Sequence, residues 1–166
     1  MPRSILNNSC YAWCAVAWLV TFLGVMAGAE TSAAGGSQDL YVENGVALDG
    51  YDPVAYHTLG DAVKGSDQYT VEWQDAVWHF ATQAHADSFT AEPEKYQPRY
   101  GGFCAFGVSK GYRMKPDMTA WEIHDGQLYL YYDDATGDAF AEDRAVNSKM
   151  ADDNWPTSAV VATEAE

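Results

Sequence analysis

The sequence predicts an α+β domain made of short antiparallel β-hairpins with two or three α-helices. Three observations carry this. The pairs Asn44-Gly45 and Asp125-Gly126 each separate two apolar-rich runs, and such pairs supply the left-handed residues that a two-residue hairpin turn needs. Aromatic side chains are abundant, with 6 Trp, 11 Tyr and 6 Phe, and they suit pleated, half-buried surfaces. Helical composition occurs over 83–91 and 139–153, each stretch bounded by a capping residue or a proline.

Taken in order, the chain begins with a targeting segment. Arg3 supplies a positive start, no charge occurs from Cys10 to Ala29, and Ala27-Gly28-Ala29 fits a cleavage site before Glu30. Residues 1–29 are therefore expected to be a secretory signal peptide, with an uncleaved anchor as the alternative. Residues 30–40, with Ala33-Ala34-Gly35-Gly36-Ser37, read as a flexible linker. The folded domain is expected over 41–156, and the small, acidic stretch 157–166 as a disordered tail. An extracytoplasmic location follows, periplasmic or secreted, with no stable membrane span once the leader is removed.

Within the domain, Asn44-Gly45 predicts a first hairpin, and 53–59 reads as a strand that begins at its proline. A second hairpin is expected over 69–80, turning at Gln74-Asp75. A two-residue loop there sets Val71 opposite Trp78, Tyr69 opposite Phe80 and Trp73 opposite Ala76, with His79 on the other face. Thr82 can cap a helix over 83–91, which Pro93 ends or follows with a new turn. The third hairpin, over 120–132, sets Trp121 against Leu130 and Ile123 against Leu128. A last helix over 139–153 is expected to anchor through Phe140, Val146 and Met150 and to stop at Trp155-Pro156.

Composition narrows the function classes. The 166 residues suffice for one domain with a core of its own. The net charge of −15 is scattered, which reads as a solvated surface that also attracts cations. Nucleic acid is excluded as a partner, because its phosphates would be repelled. With Cys10 and Cys14 removed in the leader, Cys104 has no intramolecular partner, so packing alone stabilises the domain.

Several motifs together resemble the YHS domain, in its secreted, single-domain branch. They are Gly50-Tyr51-Asp52-Pro53-Val54-Ala55-Tyr56, Trp78-His79-Phe80-Ala81-Thr82, Phe89 with Pro93 and Tyr96, and Tyr100-Gly101-Gly102-Phe103-Cys104-Ala105-Phe106-Gly107-Val108. Asp125-Gly126-Gln127-Leu128-Tyr129-Leu130 and Asp152-Asp153-Asn154-Trp155-Pro156 complete the set. Metal-associated members of that family carry cysteines that suit a soft metal. Here Ala55, Ala81 and His85 stand at those positions, so the resemblance does not transfer the metal role. Relatives of this branch include proteins described as carrying selenocysteine, which implies redox chemistry as a second expectation.

The candidate site centres on Cys104. Read as an extended run, Cys104, Phe106 and Val108 share one face, which fits a buried small hydrophobe. The competing reading is a functional thiol, activated by a nearby cation such as Arg99 or Lys110. His85, in the first turn of its helix, has its neutral form favoured by the helix N-terminus. His57 lies beside Tyr56 in a segment matching the family. Cys104, His85 and His57 would make a soft copper or zinc site, and Tyr100, Gly101, Gly102 and Cys104 a small-ligand site. His79 and His124 are expected on exposed faces, and Met114 and Met118 in loop packing. Gly107-Val108-Ser109-Lys110-Gly111 matches a hydrolase pattern, but the chain lacks the alternating β and α units that chemistry needs. The leading expectation is a non-catalytic module binding a metal ion or small molecule near Cys104. A thiol redox protein and a purely structural interaction domain are the alternatives.

Overall fold

The computed structural model describes residues 39–160. The leader, nearly all of the linker, Cys10, Cys14 and the last six residues lie outside them. The fold is α+β. Hairpin β1 (Val42–Glu43) and β2 (Val46–Ala47) turns at Asn44 and Gly45, both left-handed. Strand β3 (Ser66–Trp73) pairs antiparallel with β4 (Ala76–Phe80) through Gln74 and Asp75, at φ 51° and 58°. This turn takes the hairpin-compatible hand without a glycine. The sheet order is β1-β2-β4-β3, with β2 parallel to β4. Val71 faces Trp78 and Trp73 faces Ala76, as the pattern predicts. Tyr69 does not face Phe80, because the register shifts between Ser66 and Thr70 and sets Ser66 there instead.

The segment after Asp52 is a helix, not the expected strand. In α1 (Pro53–Thr58) the Asp52 carboxylate accepts from the Val54 amide at 2.9 Å and the Ala55 amide at 3.2 Å, and Pro53 opens the first turn. An aspartate cap followed by proline is a helix-start signal, and here it outweighs the reading of proline as the first residue of a strand. Helix α2 (Gln83–Ala91) is capped by Thr82 as expected, and Pro93 opens a new turn, α3 (Pro93–Tyr96). Phe89 of α2 packs on Trp78 with ring centroids 4.9 Å apart, and on Phe80 and Trp73. This aromatic group forms one end of the core.

After a 3-10 turn (Arg99–Gly102) come α4 (Ala105–Ser109) and β5 (Tyr112–Arg113). Hairpin β6 (Asp117–His124) and β7 (Gln127–Tyr131) follows, with the predicted pairs Trp121–Leu130 and Ile123–Leu128. The last helical stretch is split into α5 (Asp134–Glu142) and α6 (Arg144–Asn154). Phe140 is buried as expected, but Val146 and Met150 are exposed, and Asn147 and Ala151 take the inner face of α6. The break at Asp143 resets the helical phase. It is held by the Asn147 carboxamide, which donates to the Ala139 and Phe140 carbonyls. Past Pro156 the chain stays ordered through β8 (Ala159–Val160), parallel to β5. Buried Arg113 donates to the Trp155 carbonyl and the Ser158 hydroxyl and fixes this segment. No helix among the described residues is long and apolar enough to cross a membrane.

Candidate functional site

The segment from Pro98 to Cys104 runs beside β7. Pro98 bridges to Leu128 and Cys104 to Leu130. Between these anchors the chain must lift off the strand, and it does so through three consecutive left-handed residues, Tyr100 (φ 52°), Gly101 (φ 58°) and Gly102 (φ 84°). Glycine takes this shape freely, whereas a tyrosine does so at a cost that its surroundings must offset. The Tyr100 ring is buried, edge-on to Tyr129 and Trp155, and its hydroxyl donates to Asp152 Oδ1 at 3.0 Å. Burial pushes the phenol up to about 12, with Arg99 pulling against it and Asp152 adding to it, so the hydroxyl keeps its proton at neutral pH.

The lifted turn forms one wall of an open cleft of about 330 Å³. Arg99, Tyr100, Gly101, Asp152 and Trp155 line it, together with Asp39, Gln74, Gln97 and Gln127. Arg99 Nη2 meets Asp152 Oδ1 at 2.5 Å, and the guanidinium lies over the Tyr100 ring. Gly101 also sits against the start of the domain, where its carbonyl accepts from the Tyr41 amide at 2.8 Å.

Of the four residues expected to hold a small ligand, Tyr100 and Gly101 line this cleft. Gly102 and Cys104 are buried. Cys104 is wholly inaccessible and caps α4, with Sγ accepting from the Gly107 amide at 3.4 Å. The extended run expected through Val108 is therefore absent. The chain enters a helix at Ala105, and Val108 is buried while Phe106 is only partly so. Ser109 of the hydrolase-like pattern is buried, and its hydroxyl donates to the Phe106 carbonyl rather than to a histidine.

His85 and His57 occupy a different part of the fold. His85 Nδ1 lies 2.6 Å from Asp52 Oδ2, and its Nε2 lies 3.4 Å from the Thr58 hydroxyl. His57 packs edge-on to Tyr96, and its Nε2 is buried without a hydrogen-bond partner. Among the described residues no group of three or more His, Cys, Asp or Glu side chains is placed to hold a metal ion, so the Cys104, His85 and His57 trio is not assembled. His79 is half-buried rather than exposed, with its ring against Gly50. Met118 is buried in the core.

The cluster that sequence reasoning missed is centred on Asp52. Its carboxylate is fully buried and accepts from the Val54, Ala55 and Ala81 amides while facing the His85 ring. One side chain thus joins the starts of α1 and α2 to the end of β4. The Asp-Pro pair was the available local signal, but the contacts with Ala81 and His85 come from tertiary structure.

His57 gives a pH prediction. Burial, and secondarily the Lys95 charge, hold its imidazole below the usual value of about 6.5. The unfolded chain therefore takes up this proton more readily than the folded one. The stability from keeping His57 neutral is full above the unfolded value and is lost as pH falls through the lower folded value. Urea denaturation from pH 7.5 to about 4.5 should show wild type losing more stability than His57→Phe. Parallel curves would refute this.

Matches were sought among protein-family models, curated proteins and solved structures, and none was found.

Proposed function

We propose that this chain is a secreted, non-catalytic binding module of YHS type that holds a small polar ligand in the cleft at Tyr100 and Gly101. The observation that carries this reading is the left-handed Tyr100, buried and tied to Asp152 at the cleft wall. A bulky residue persists in that conformation only where its surroundings enforce it, and such positions cluster at ligand sites. Both cleft residues lie just before Cys104 in the chain, on the far side of Gly102 and Phe103. The secreted placement rests on the leader-like composition of residues 1–29.

The burial of Cys104 weighs against a ligand on sulfur, since neither metal nor oxidant reaches it without local opening. The thiol serves the fold by capping α4.

Two measurements on the leader-free protein test the reading. In an NMR screen of small polar fragments, saturable shifts should cluster at the amides of Arg99, Tyr100 and Gly101 and at the Trp155 indole. Tyr100→Ala should abolish them. Cys104 should react with a thiol reagent in urea but at least about a hundredfold more slowly in the native state, because protection scales with the opening free energy. Fast native labelling, or stoichiometric copper or zinc that Cys104→Ser releases, would replace this reading with the redox or metal one.

A further inference from the structure

The described residues carry one backbone pattern twice. Three consecutive left-handed residues, Leu48, Asp49 and Gly50 (φ 51°, 49° and 75°), precede α1, as Tyr100, Gly101 and Gly102 precede α4. Non-glycine residues enter this region rarely and singly. One extended residue follows each run, Tyr51 or Phe103, and then a fully buried cap, Asp52 or Cys104. Each cap accepts from the amide three positions on, that of Ala55 or Gly107.

The match continues through the hairpins. Both β3–β4 and β6–β7 shift register early in their first strand, between Ser66 and Thr70 or between Asp117 and Trp121. The second strand of each takes a parallel bridge from just before the left-handed turn, Val46 to Val77 and Pro98 to Leu128. A capped helix of nine residues follows, α2 or α5. Its Phe89 or Phe140 is fully buried against two rings of the preceding strand. The helices give way at Glu92 and Asp143 with nearly one backbone shape (φ −141°, ψ 61° and φ −136°, ψ 60°).

All these pairs lie fifty-one or fifty-two positions apart. A hairpin and a helix recur in many folds, but a bulge, a left-handed turn and a buried cap at fixed offsets are not part of that common unit. Over the matched segments only Gly50, Ala84, Asp87 and Phe89 keep their residue in the second copy, so the backbone repeats where the side chains have diverged.

The copies differ at their ends. In the first, α3 is a single turn, and the chain passes at Gln97 into the second copy. In the second, α6 runs on to Asn154 and brings Asp152 and Trp155 to the cleft lining. Asp49 stands where the second copy has Gly101, and its carboxylate meets the Tyr41 hydroxyl at 3.2 Å and Lys115 Nζ at 3.5 Å. We propose that the domain is built from two copies of one repeat, 46–97 and 98–154, and that ligand binding belongs to the second copy alone, through its extended last helix. The repeat stands without the binding role proposed above, whereas the placing of binding in the second copy rests on it.

Transplanting the Asp52–His85 pair tests the repeat, because positions 104 and 136 match positions 52 and 85. In the leader-free protein, Cys104→Asp alone should sharply raise the unfolding constant, since it buries a carboxylate with no imidazole beside it. Adding Thr136→His should restore part of the loss. By urea titration, the double variant's unfolding constant should lie about tenfold below the value that the two single variants predict together. Single effects that simply multiply would overturn the repeat. An X-ray structure of the wild type checks it without any variant: 46–58 with 66–92 should superpose on 98–110 with 117–143 as one rigid body. A fit that needs turn, hairpin and helix rotated separately would overturn it. In the polar-fragment screen, saturable shifts should fall at Tyr100, Gly101 and the Trp155 indole, and not at Leu48, Asp49 or Gly50. Shifts at both turns would overturn the placing of binding in the second copy. Shifts at neither would overturn the binding role itself, with the repeat still standing.

Discussion

Replacing Asp52 by alanine should cost about 3–5 kcal/mol of folding free energy, because it leaves several buried groups unsatisfied at once. The carboxylate is fully buried and accepts from the Val54, Ala55 and Ala81 amides, while its Oδ2 faces the His85 ring at 2.6 Å. Alanine removes both acceptor oxygens but none of these donors. The helix cap alone is worth about 1 kcal/mol, so the larger part of the loss comes from the Ala81 amide and the imidazole. Asp52→Asn separates the contributions. It keeps an oxygen for Val54 and Ala55 but turns an NH₂ toward the Ala81 amide, where donor meets donor, while the neutral His85 ring can accept from it by changing tautomer. Its loss should fall between wild type and alanine. The measurement is equilibrium urea unfolding of all three proteins. An alanine variant within about 1 kcal/mol of wild type would mean that the carboxylate carries little of the fold.

The second large effect is expected at Gly101, where alanine should cost about 2–4 kcal/mol and abolish ligand binding in the cleft. A Cβ there would lie 1.8 Å from the Asp39 carbonyl oxygen, and the residue sits at φ +58°. Two costs add: the left-handed backbone, and displacement of the segment whose Tyr41 amide bonds the Gly101 carbonyl. Gly111 separates them. It has φ +89°, and a Cβ added there would meet nothing within 4 Å. Gly111→Ala should therefore cost only the backbone preference, about 1–2 kcal/mol, with the cleft intact. Equal losses in the two variants would show that residues 39–41 yield freely and do not pin the cleft.

Legibility in the sequence followed the range of the interactions. The hairpins at Asn44-Gly45, Gln74-Asp75 and Asp125-Gly126 were readable because a two-residue turn fixes the register of its own flanks. The Thr82 cap was readable for the same reason, since donor and acceptor lie three residues apart. The failures were of two kinds. At Pro53 two local signals competed, and the Asp52 cap prevailed because its buried carboxylate is also held by Ala81 and His85. At Val146 and Met150 the spacing of the apolar residues suggested one continuous helix, but the break at Asp143 rotated the face, and Asn147 took the inner position as the cap for α5.

The candidate site divides along the same line. Residue order alone placed a thiol just after a glycine pair and marked Tyr100, Gly101 and Gly102 as candidates beside it, whereas the left-handed turn at Tyr100 appears only in the structure. Tertiary structure decided that the sulfur would be enclosed and that Asp152, fifty-two positions later, would meet the Tyr100 hydroxyl. It likewise decided that Gln74, Gln97 and Gln127 would open onto one cleft. Turns and caps arise from forces between near neighbours in the chain. Enclosure and convergence depend on which distant surfaces pack together, and no short stretch of sequence records that.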